Sequence, residues 1–126
     1  NIVQIMHLLQ GRPDNFLVIS GDDATALPTV LLGGDGTISV LGQAFPERYS
    51  RMIRQGLEGN YKQANTIQYQ LLEVMELIFK EGNPVGIKAL LTLLEIINTP
   101  KVRLPLVSAT EGLQRELKTY LEYMKK

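Results

Sequence analysis

The sequence contains no cysteine, which excludes disulfide bonds, thiolate metal sites and a cysteine nucleophile. It has no excess of either charge, because 13 Lys and Arg residues balance 13 Asp and Glu residues. A neutral chain has no net field to attract nucleic acid or an anionic membrane surface. No apolar run reaches the roughly 20 residues that a membrane-spanning helix needs, since the longest candidate, residues 87–97, contains Lys88, Thr92 and Glu95. We therefore expect neither a nucleic-acid nor a membrane partner.

The sequence also has no secretory signal and does not begin with methionine. It starts at Asn1 in the middle of an amphipathic pattern, so we expect further residues to precede it in the intact protein. Its 126 residues, 44% hydrophobic and 21% charged, have the composition of an ordinary globular domain. The absence of cysteine fits a reducing compartment, and we expect a cytoplasmic protein.

The first part of the chain predicts a strand, a helix and a second strand after one short helix. The short helix carries apolar residues at helical spacing, namely Ile2, Ile5, Met6 and Leu9. Apolar runs at 16–20 and 37–40 predict two buried strands. Residues 24–32 predict the helix between them, with Thr25 as N-cap and Pro28 in the first turn, where its missing N–H costs no bond. Such a βαβ unit has parallel strands.

The remaining residues predict helices. Pro46 suits the first position of a helix, and Gly59 lies beyond its end. Residues 84–97 predict a helix that is apolar on most sides, and a capping box at 108–111 predicts the start of the last helix. Apolar stripes mark the other helices: Tyr49, Met52, Ile53 and Leu57; Ala64, Ile67, Leu71, Val74 and Ile78; and Leu113, Leu117, Tyr120, Leu121 and Met124.

Two parallel strands do not make a stable sheet by themselves, because each leaves an unpaired edge and parallel sheets are normally covered on both faces. Buried strands followed by further helices suit the last part of a larger α/β fold. Expressed alone, residues 1–126 should self-associate or recruit the missing strands through these edges.

Four short motifs carry a resemblance to a known family. They are Leu-Val-Ile-Ser-Gly-Asp-Asp at 17–23, Gly-Gly-Asp-Gly-Thr-Ile-Ser-Val at 33–40, Gly-Asn-Pro at 82–84 and Val-Arg-Leu-Pro-Leu at 102–106. In this order and at these separations, the sequence resembles over essentially its whole length the C-terminal part of the dihydrodipicolinate synthases. These enzymes belong to the N-acetylneuraminate lyase superfamily of Schiff-base aldolases.

The resemblance implies an α/β fold, a (β/α)8 TIM barrel followed by a helical C-terminal domain. The strands at 16–20 and 37–40 would be the seventh and eighth strands, which are the last two of the barrel. Residues 1–58 would form the C-terminal part of the barrel, and residues 59–126 the helical domain. Because a full barrel takes roughly 250 residues, the chain would hold only about its last quarter.

The resemblance also implies an activity. The family condenses pyruvate with aspartate 4-semialdehyde on the route to diaminopimelate and lysine. Pyruvate is held as an imine, a Schiff base, on a lysine, and a tyrosine hydroxyl assists proton transfer; both residues belong to the part of the barrel that precedes Asn1. We therefore expect no catalytic residue, metal or other cofactor in this chain, and no activity from the chain alone. The intact lyase is expected to be a homo-oligomer, in this family usually a homotetramer.

Two alternatives to this function stay open. One is another aldolase of the superfamily that acts on a different 2-oxo acid, because the residues that select the second substrate lie largely outside this sequence. The other is a non-catalytic, truncated barrel that serves as an interaction module. An upstream reading frame with a strand ending in lysine favours the enzyme, whereas a start codon at Asn1 favours the module.

By resemblance, two residues of this chain are substrate-binding. Gly21 matches a glycine whose backbone lies beside the second substrate, and Ile38 matches a position whose main-chain carbonyl points at the imine-forming lysine. A glycine leaves room and exposes main-chain polar groups, and a carbonyl can orient an amine by hydrogen bonding. From the residues alone, Gly21 could equally be a turn glycine and Ile38 barrel filling. Leu-Gly-Gln at 41–43 departs from the small residue, alanine and asparagine that the family often has there.

Other polar residues predict structural roles. Asp22 and Asp23 could ligate a metal or act as an acid and base pair, but adjacent carboxylates are also favoured at a helix start. Gly-Gly-Asp-Gly at 33–36 resembles a phosphate loop, yet it precedes a strand, whereas a phosphate cradle follows one. His7 predicts a packed or surface residue. Lys88 could suggest an imine-forming lysine, but barrel enzymes place their chemistry at strand ends and not on a helix.

Overall fold

The computed structural model describes residues 1–124. The elements in chain order are α1 (Ile2–Gly11), β1 (Ile19–Ser20), α2 (Asp23–Leu31), β2 (Gly36–Thr37), a 3-10 helix (Leu41–Gln43), α3 (Pro46–Leu57), α4 (Tyr61–Phe79), α5 (Val85–Leu93) and α6 (Glu111–Tyr123). No helix among these residues is both long enough and apolar enough to cross a membrane. The chain divides into two compact units, a first unit of residues 1–70 and a second unit from residue 71 onward.

The sheet of the first unit consists of β1 and β2, which pair in parallel with Ile19 opposite Gly36. Because α2 connects them, the predicted βαβ unit is confirmed. Each strand is two residues long, shorter than the predicted 16–20 and 37–40. A residue remains in a strand only where a neighbouring strand supplies hydrogen-bond partners, and the described residues form a sheet of these two strands alone.

The predicted burial of the two apolar runs is wrong for the described chain. Phe16, Leu17 and Ile38 are 58%, 65% and 76% exposed, respectively, and Ile19 is 47% exposed. Strands of a parallel sheet are buried only where further strands and helices cover them. In residues 1–124 that cover is absent, so these four side chains are exposed, and we refer to them together as the apolar strand surface.

The N-cap of α2 differs from the predicted Thr25. The N-cap is Asp22, whose Oδ1 accepts hydrogen bonds from Thr25 N at 2.8 Å and from Thr25 Oγ1 at 2.9 Å. Thr25 is therefore not the cap, and Pro28 lies inside the helix instead of in its first turn. The aspartate is favoured because its carboxylate binds free N–H groups and complements the helix dipole.

The interior Pro28 removes the N–H that would normally donate to the carbonyl of Ala24. The side chain of Gln68 replaces it, because Gln68 Nε2 donates to the Ala24 carbonyl at 2.9 Å. Gln68 is only 7% exposed, so this bond lies away from solvent. The contact explains how α2 continues through the proline.

The end of α2 is a Schellman turn at two glycines. Gly34 N donates to the Thr29 carbonyl at 2.8 Å, and Gly33 N donates to the Val30 carbonyl at 2.9 Å. Gly33 has a φ of 106°, a backbone angle that residues other than glycine rarely adopt. A Cβ on Gly34 would lie 2.7 Å from Thr29 Cγ2. The prediction that this segment turns the chain is confirmed.

α3 begins at Pro46, as predicted, and buries Tyr49, Met52 and Ile53. Leu57 was expected on the same face but is 52% exposed, since it is the last residue of the helix. α1 forms where the spacing predicts it, but none of its residues is buried in the described part of the chain.

The second unit is built from helices. The C-terminal part of α4 contributes Leu71, Val74 and Ile78, each 0% exposed, which confirms the predicted stripe. A Cβ on Gly86 of α5 would lie 2.6 Å from the carbonyl carbon of Ile78, so glycine allows the two helices to approach closely. Further buried residues of this unit on α5 and α6 include Ile87, Leu90, Leu91, Leu113, Leu117 and Tyr120.

The last residue of α5 and the N-cap of α6 differ from the prediction. α5 stops at Leu93, before the predicted residue 97. The N-cap of α6 is Thr110, not Ser108, because Thr110 Oγ1 accepts from Leu113 N at 3.2 Å. The Glu81 carboxylate accepts from Thr110 N at 2.9 Å and from Thr110 Oγ1 at 2.5 Å. These two bonds hold the pKa of Glu81 below its ordinary value.

Candidate functional site

The candidate site lies at the carboxyl ends of β1 and β2. Gly21 directly follows β1, and Ile38 directly follows β2. The carbonyl of Ser20 accepts hydrogen bonds from Ile38 N at 2.9 Å and from Thr37 Oγ1 at 3.0 Å. The parallel pairing therefore holds the two predicted substrate positions beside each other.

Gly21 is exposed, and a Cβ built on it would have no other residue's atoms within 4 Å. Its φ also lies outside the positive range that Gly33 occupies. In the described residues, neither close packing nor a left-handed backbone requires glycine at this position. The open space suits a role beside a bound substrate, and that role stays a prediction.

Ile38 places its side chain in the apolar strand surface, where it is 76% exposed. Its N–H is engaged with Ser20, which fixes one end of the residue. The role that the resemblance implies depends on the main-chain carbonyl and not on the side chain. This role also stays a prediction.

A buried carboxylate connects the two strand ends. Asp23, the first residue of α2, is 1% exposed. Its Oδ1 accepts from Ser39 Oγ at 2.5 Å, and its Oδ2 accepts from Leu41 N at 2.9 Å. Ser39 Oγ accepts in turn from Gly42 N at 2.7 Å. We refer to these four residues as the strand-end network, because they fix the segment after β2 to the segment after β1.

Tyr49 of α3 borders the strand-end network. It is 2% exposed, and its hydroxyl donates to the Asp23 carbonyl at 3.4 Å. Burial and then the nearby Asp23 carboxylate raise the pKa of Tyr49 well above its ordinary value, because a phenolate would be poorly solvated and repelled at this place. The phenol therefore stays protonated beside the network at neutral pH.

The adjacent carboxylates Asp22 and Asp23 have separate structural partners. Asp22 caps α2, and Asp23 binds the segment that follows β2. This confirms the interpretation of the pair as capping and positioning residues. Across residues 1–124, no three His, Asp or Glu side chains come together as a metal site would require.

The loop at 33–36 carries a carboxylate with its own partners. Asp35 Oδ2 accepts from Val18 N at 2.7 Å and from the Arg12 guanidinium at 2.5 Å. These bonds tie the loop to the chain that leads into β1. The Val18 N–H and the Arg12 guanidinium, two groups that could bind a phosphate, are already bound to Asp35, which agrees with the interpretation of the loop as a turn.

Two further candidates from the sequence lie on helices. His7 is an exposed residue of α1, within the first unit. Lys88 of the second unit lies on α5, and its Nζ donates to the carbonyl of Lys101. The expectation that His7 is a packed or surface residue is confirmed, and Lys88 lies on a helix and not at a strand end.

The strand-end network was not predicted from the sequence, where Ser39 was expected only as a strand residue and Tyr49 as a packing residue of a helix. A signal was present, because Asp23 opens the helix after the first strand and Ser39 lies beside the end of the second. The contact itself depends on the register of β1 against β2, and register is not visible in either segment alone.

Comparison with known proteins identifies the family. Residues 1–124 match the dihydrodipicolinate synthetase family. The chain is 43% identical to the 4-hydroxy-tetrahydrodipicolinate synthase of Flavobacterium psychrophilum over 100% of its own length and 43% of that protein. It is 46% identical to the 4-hydroxy-tetrahydrodipicolinate synthase of Phocaeicola vulgatus over 85% of this chain and 36% of that protein.

A solved structure gives the same result. The crystal structure of dihydrodipicolinate synthase from Aquifex aeolicus is similar with a TM-score of 0.93 and 30% identity, over 99% of this chain and 42% of that chain. The chain therefore belongs to the dihydrodipicolinate synthetase family, which confirms the resemblance based on the four motifs. It spans about two fifths of the length of the curated relatives that it matches.

Proposed function

We propose that this chain is the C-terminal part of a lyase that condenses pyruvate with aspartate 4-semialdehyde in diaminopimelate and lysine biosynthesis. One observation carries the proposal, namely the match of residues 1–124 to the dihydrodipicolinate synthetase family. The relative from Flavobacterium psychrophilum, named 4-hydroxy-tetrahydrodipicolinate synthase, is 43% identical over the whole chain. We carry its activity over to the protein that contains this chain.

In this proposal, β1 and β2 are the last two strands of a (β/α)8 barrel. Their parallel pairing and the helix between them support this assignment, because barrel strands alternate with helices in this way. Residues 1–58 would belong to the barrel and residues 59–126 to a helical C-terminal domain. The helices after β2 suit that division, which remains a prediction.

The proposed chemistry begins outside this chain. A lysine amine elsewhere in the barrel attacks the ketone of pyruvate, and loss of one water gives an imine. Removal of a proton from the imine's methyl group gives an enamine, whose carbon forms a new bond to the aldehyde carbon of the semialdehyde. A tyrosine hydroxyl, also elsewhere in the barrel, would relay the removed proton to the aldehyde oxygen, which becomes a hydroxyl group. Displacement of the lysine amine from the imine carbon then releases the product and restores the enzyme. No catalytic residue of this scheme lies in the chain, so the chain alone should be inactive.

Gly21 and Ile38 would contribute their backbones to the site. The carbonyl of Ile38 would orient the lysine amine, and the backbone of Gly21 would lie beside the second substrate. Both residues follow the carboxyl ends of parallel strands, which is where barrel enzymes hold their active sites. The open space around Gly21 supports its proposed role.

We further propose that the intact enzyme is a homo-oligomer of the cytoplasm. The absence of cysteine fits a reducing compartment. In the second unit, Leu104 and Val107 are 88% and 73% exposed. Exposed apolar side chains of this kind support a subunit contact.

The first experiment measures the intact mass of the purified source protein and then traps pyruvate on it with borohydride. The expected result is a protein much heavier than the 14.1 kDa chain that gains one reduced pyruvate per subunit. Hydride addition to the imine makes the adduct permanent, so mass spectrometry detects it. A sample without pyruvate controls for unspecific reduction.

Each result of this experiment has a distinct meaning. Trapping of pyruvate in one sample, together with turnover of pyruvate and aspartate 4-semialdehyde by an untreated sample, supports the proposed function. Trapping of pyruvate without turnover of that aldehyde points to another aldolase of the superfamily. A mass equal to the chain, with no adduct, contradicts the proposal and leaves the non-catalytic interaction module.

A further inference from the structure

We infer that Asp23, acting through Ser39, is a positioning residue for the pyruvate site. It holds the segment after β2 so that the carbonyl of Ile38 points at the imine-forming lysine. The inference rests on the proposed function, because it assigns the strand-end network a part in that reaction.

The carbonyl of Ile38 belongs to the peptide group between Ile38 and Ser39. A peptide group is planar, so the direction of its carbonyl depends on the positions of the residues on both sides. On one side, Ile38 N donates to the Ser20 carbonyl at 2.9 Å. On the other side, Ser39 Oγ donates to Asp23 at 2.5 Å. The carbonyl thus lies between two fixed points.

The residues after this peptide group are held by the same carboxylate and hydroxyl. Asp23 Oδ2 accepts from Leu41 N, and Ser39 Oγ accepts from Gly42 N. A Cβ on Gly42 would lie 3.1 Å from Ser39 Oγ, so this part of the segment is closely packed. A carboxylate that is 1% exposed needs such donors, because an unpaired buried charge is costly. The network therefore has one favourable arrangement, and with it one position of Ile38.

The expected effect depends on the sensitivity of catalysis to geometry. A displacement of about 1 Å in a positioned group can lower a rate by about 100-fold. In the intact source protein, Asp23→Ala and Ser39→Ala should lower the rate constant of pyruvate trapping by about 10- to 100-fold. The final fraction of trapped subunits should equal that of the wild type, since the lysine is still present.

The final trapped fraction and the rate constant of trapping together distinguish a positioning role from a purely structural one. A merely structural role reduces the fraction of folded subunits and therefore the final trapped fraction, while the folded subunits react at the normal rate. Ser39→Thr keeps the hydroxyl that binds Asp23, so it should restore the rate to within about threefold of the wild type.

Two control variants match the tested changes. Val30→Ala shortens a buried side chain of α2 that is 5% exposed, and it lowers stability without touching the strand-end network. Asp22→Ala removes the neighbouring carboxylate, which caps α2 and does not bind the segment after β2. Both controls should trap pyruvate at the wild-type rate.

The results distinguish a failure of the proposed function from a failure of the positioning role alone. A wild-type protein that traps no pyruvate overturns the proposed function and this inference together. A wild-type protein that traps pyruvate, with Ser39→Ala and Asp23→Ala as fast as Val30→Ala, overturns the inference alone. If Asp23→Ala does not fold, Ser39→Ala and its rescue by Ser39→Thr still give the answer.

Discussion

At the scale of single residues, one step along the chain changes what a carboxylate does. Asp22 stands before the first residue of α2 and binds the free N–H of Thr25. Asp23, the next residue, is 1% exposed and binds the segment after β2. The two side chains have the same chemistry, and only their positions relative to the helix start differ. A substitution at one should therefore not reproduce a substitution at the other.

The buried phenol of Tyr49 predicts a loss of stability at alkaline pH. Its pKa is raised in the folded protein, so the unfolded chain releases the proton near pH 10 while the folded chain keeps it. The stabilisation is complete below about pH 10 and is lost as the pH rises toward the folded pKa. Tyr49→Phe should abolish this loss, which reaches about 1.4 kcal/mol per pH unit. Urea unfolding of the intact source protein between about pH 8 and pH 11 measures it.

Tyr69→Phe is the matched control for this measurement. Tyr69 is 73% exposed, so Tyr69→Phe removes a phenol hydroxyl of the same kind from a position that is not buried. This variant should keep the alkaline slope of the wild type. A Tyr49→Phe protein that loses stability as steeply as the wild type above about pH 10 would contradict the prediction.

At the scale of elements, α2 depends on a residue outside its own segment. Pro28 leaves the Ala24 carbonyl without its helical donor, and Gln68 of α4 supplies one at 2.9 Å. A buried acceptor without a donor costs about 1–3 kcal/mol. The proline and the glutamine therefore form a pair that contributes to stability as a unit.

This pairing predicts a coupling between two substitutions. Gln68→Met should lower the free energy of unfolding by about 1–2 kcal/mol, because it removes the donor to Ala24. In a Pro28→Ala background, residue 28 regains an N–H that can bond Ala24. The same Gln68→Met change should then cost less, with a coupling energy of about 1 kcal/mol in a double-mutant cycle.

Gln63→Met provides the control for this cycle. Gln63 is exposed on the same helix, so its substitution should have additive effects with Pro28→Ala. If Gln68→Met costs the same with proline and with alanine at position 28, the replacement of the lost helical bond by Gln68 is refuted.

At the scale of the whole molecule, the described chain leaves its apolar strand surface uncovered. Leu17 is 65% exposed and Ile38 is 76% exposed, and the sheet has two strands with an open edge on each side. The relatives of the chain are more than twice as long. Exposed edges and apolar patches of this kind favour association.

Residues 1–126 expressed alone should therefore self-associate. Size-exclusion chromatography with light scattering should give a mass above the 14.1 kDa of the monomer. Leu17→Lys should reduce association, because it places a charge in the exposed apolar strand surface. Tyr69→Lys, at a position 73% exposed on α4, should leave it unchanged.

One result would refute this prediction. A monodisperse monomer that melts cooperatively would mean that the two short strands are stable without further cover.

Several features of the fold could be predicted from local patterns. The stripe that includes Leu71, Val74 and Ile78 is buried as expected, because helical periodicity shows which face is apolar whatever that face packs against. Pro46 marks a helix start and Gly33 a helix end for reasons that are local to the backbone. The family could also be recognised, since the order and the separations of the four motifs can be seen in the sequence without any knowledge of contacts.

The helices, the βαβ unit and the family follow from the order of residues along the chain, because periodicity, turn residues and motif order are properties of neighbouring residues. Folding in three dimensions brings Ser39 to Asp23 and the Gln68 amide to the Ala24 carbonyl, and it leaves the apolar strand surface exposed. These contacts join segments far apart in the chain. They depend on strand register and on helix packing, which no single segment encodes.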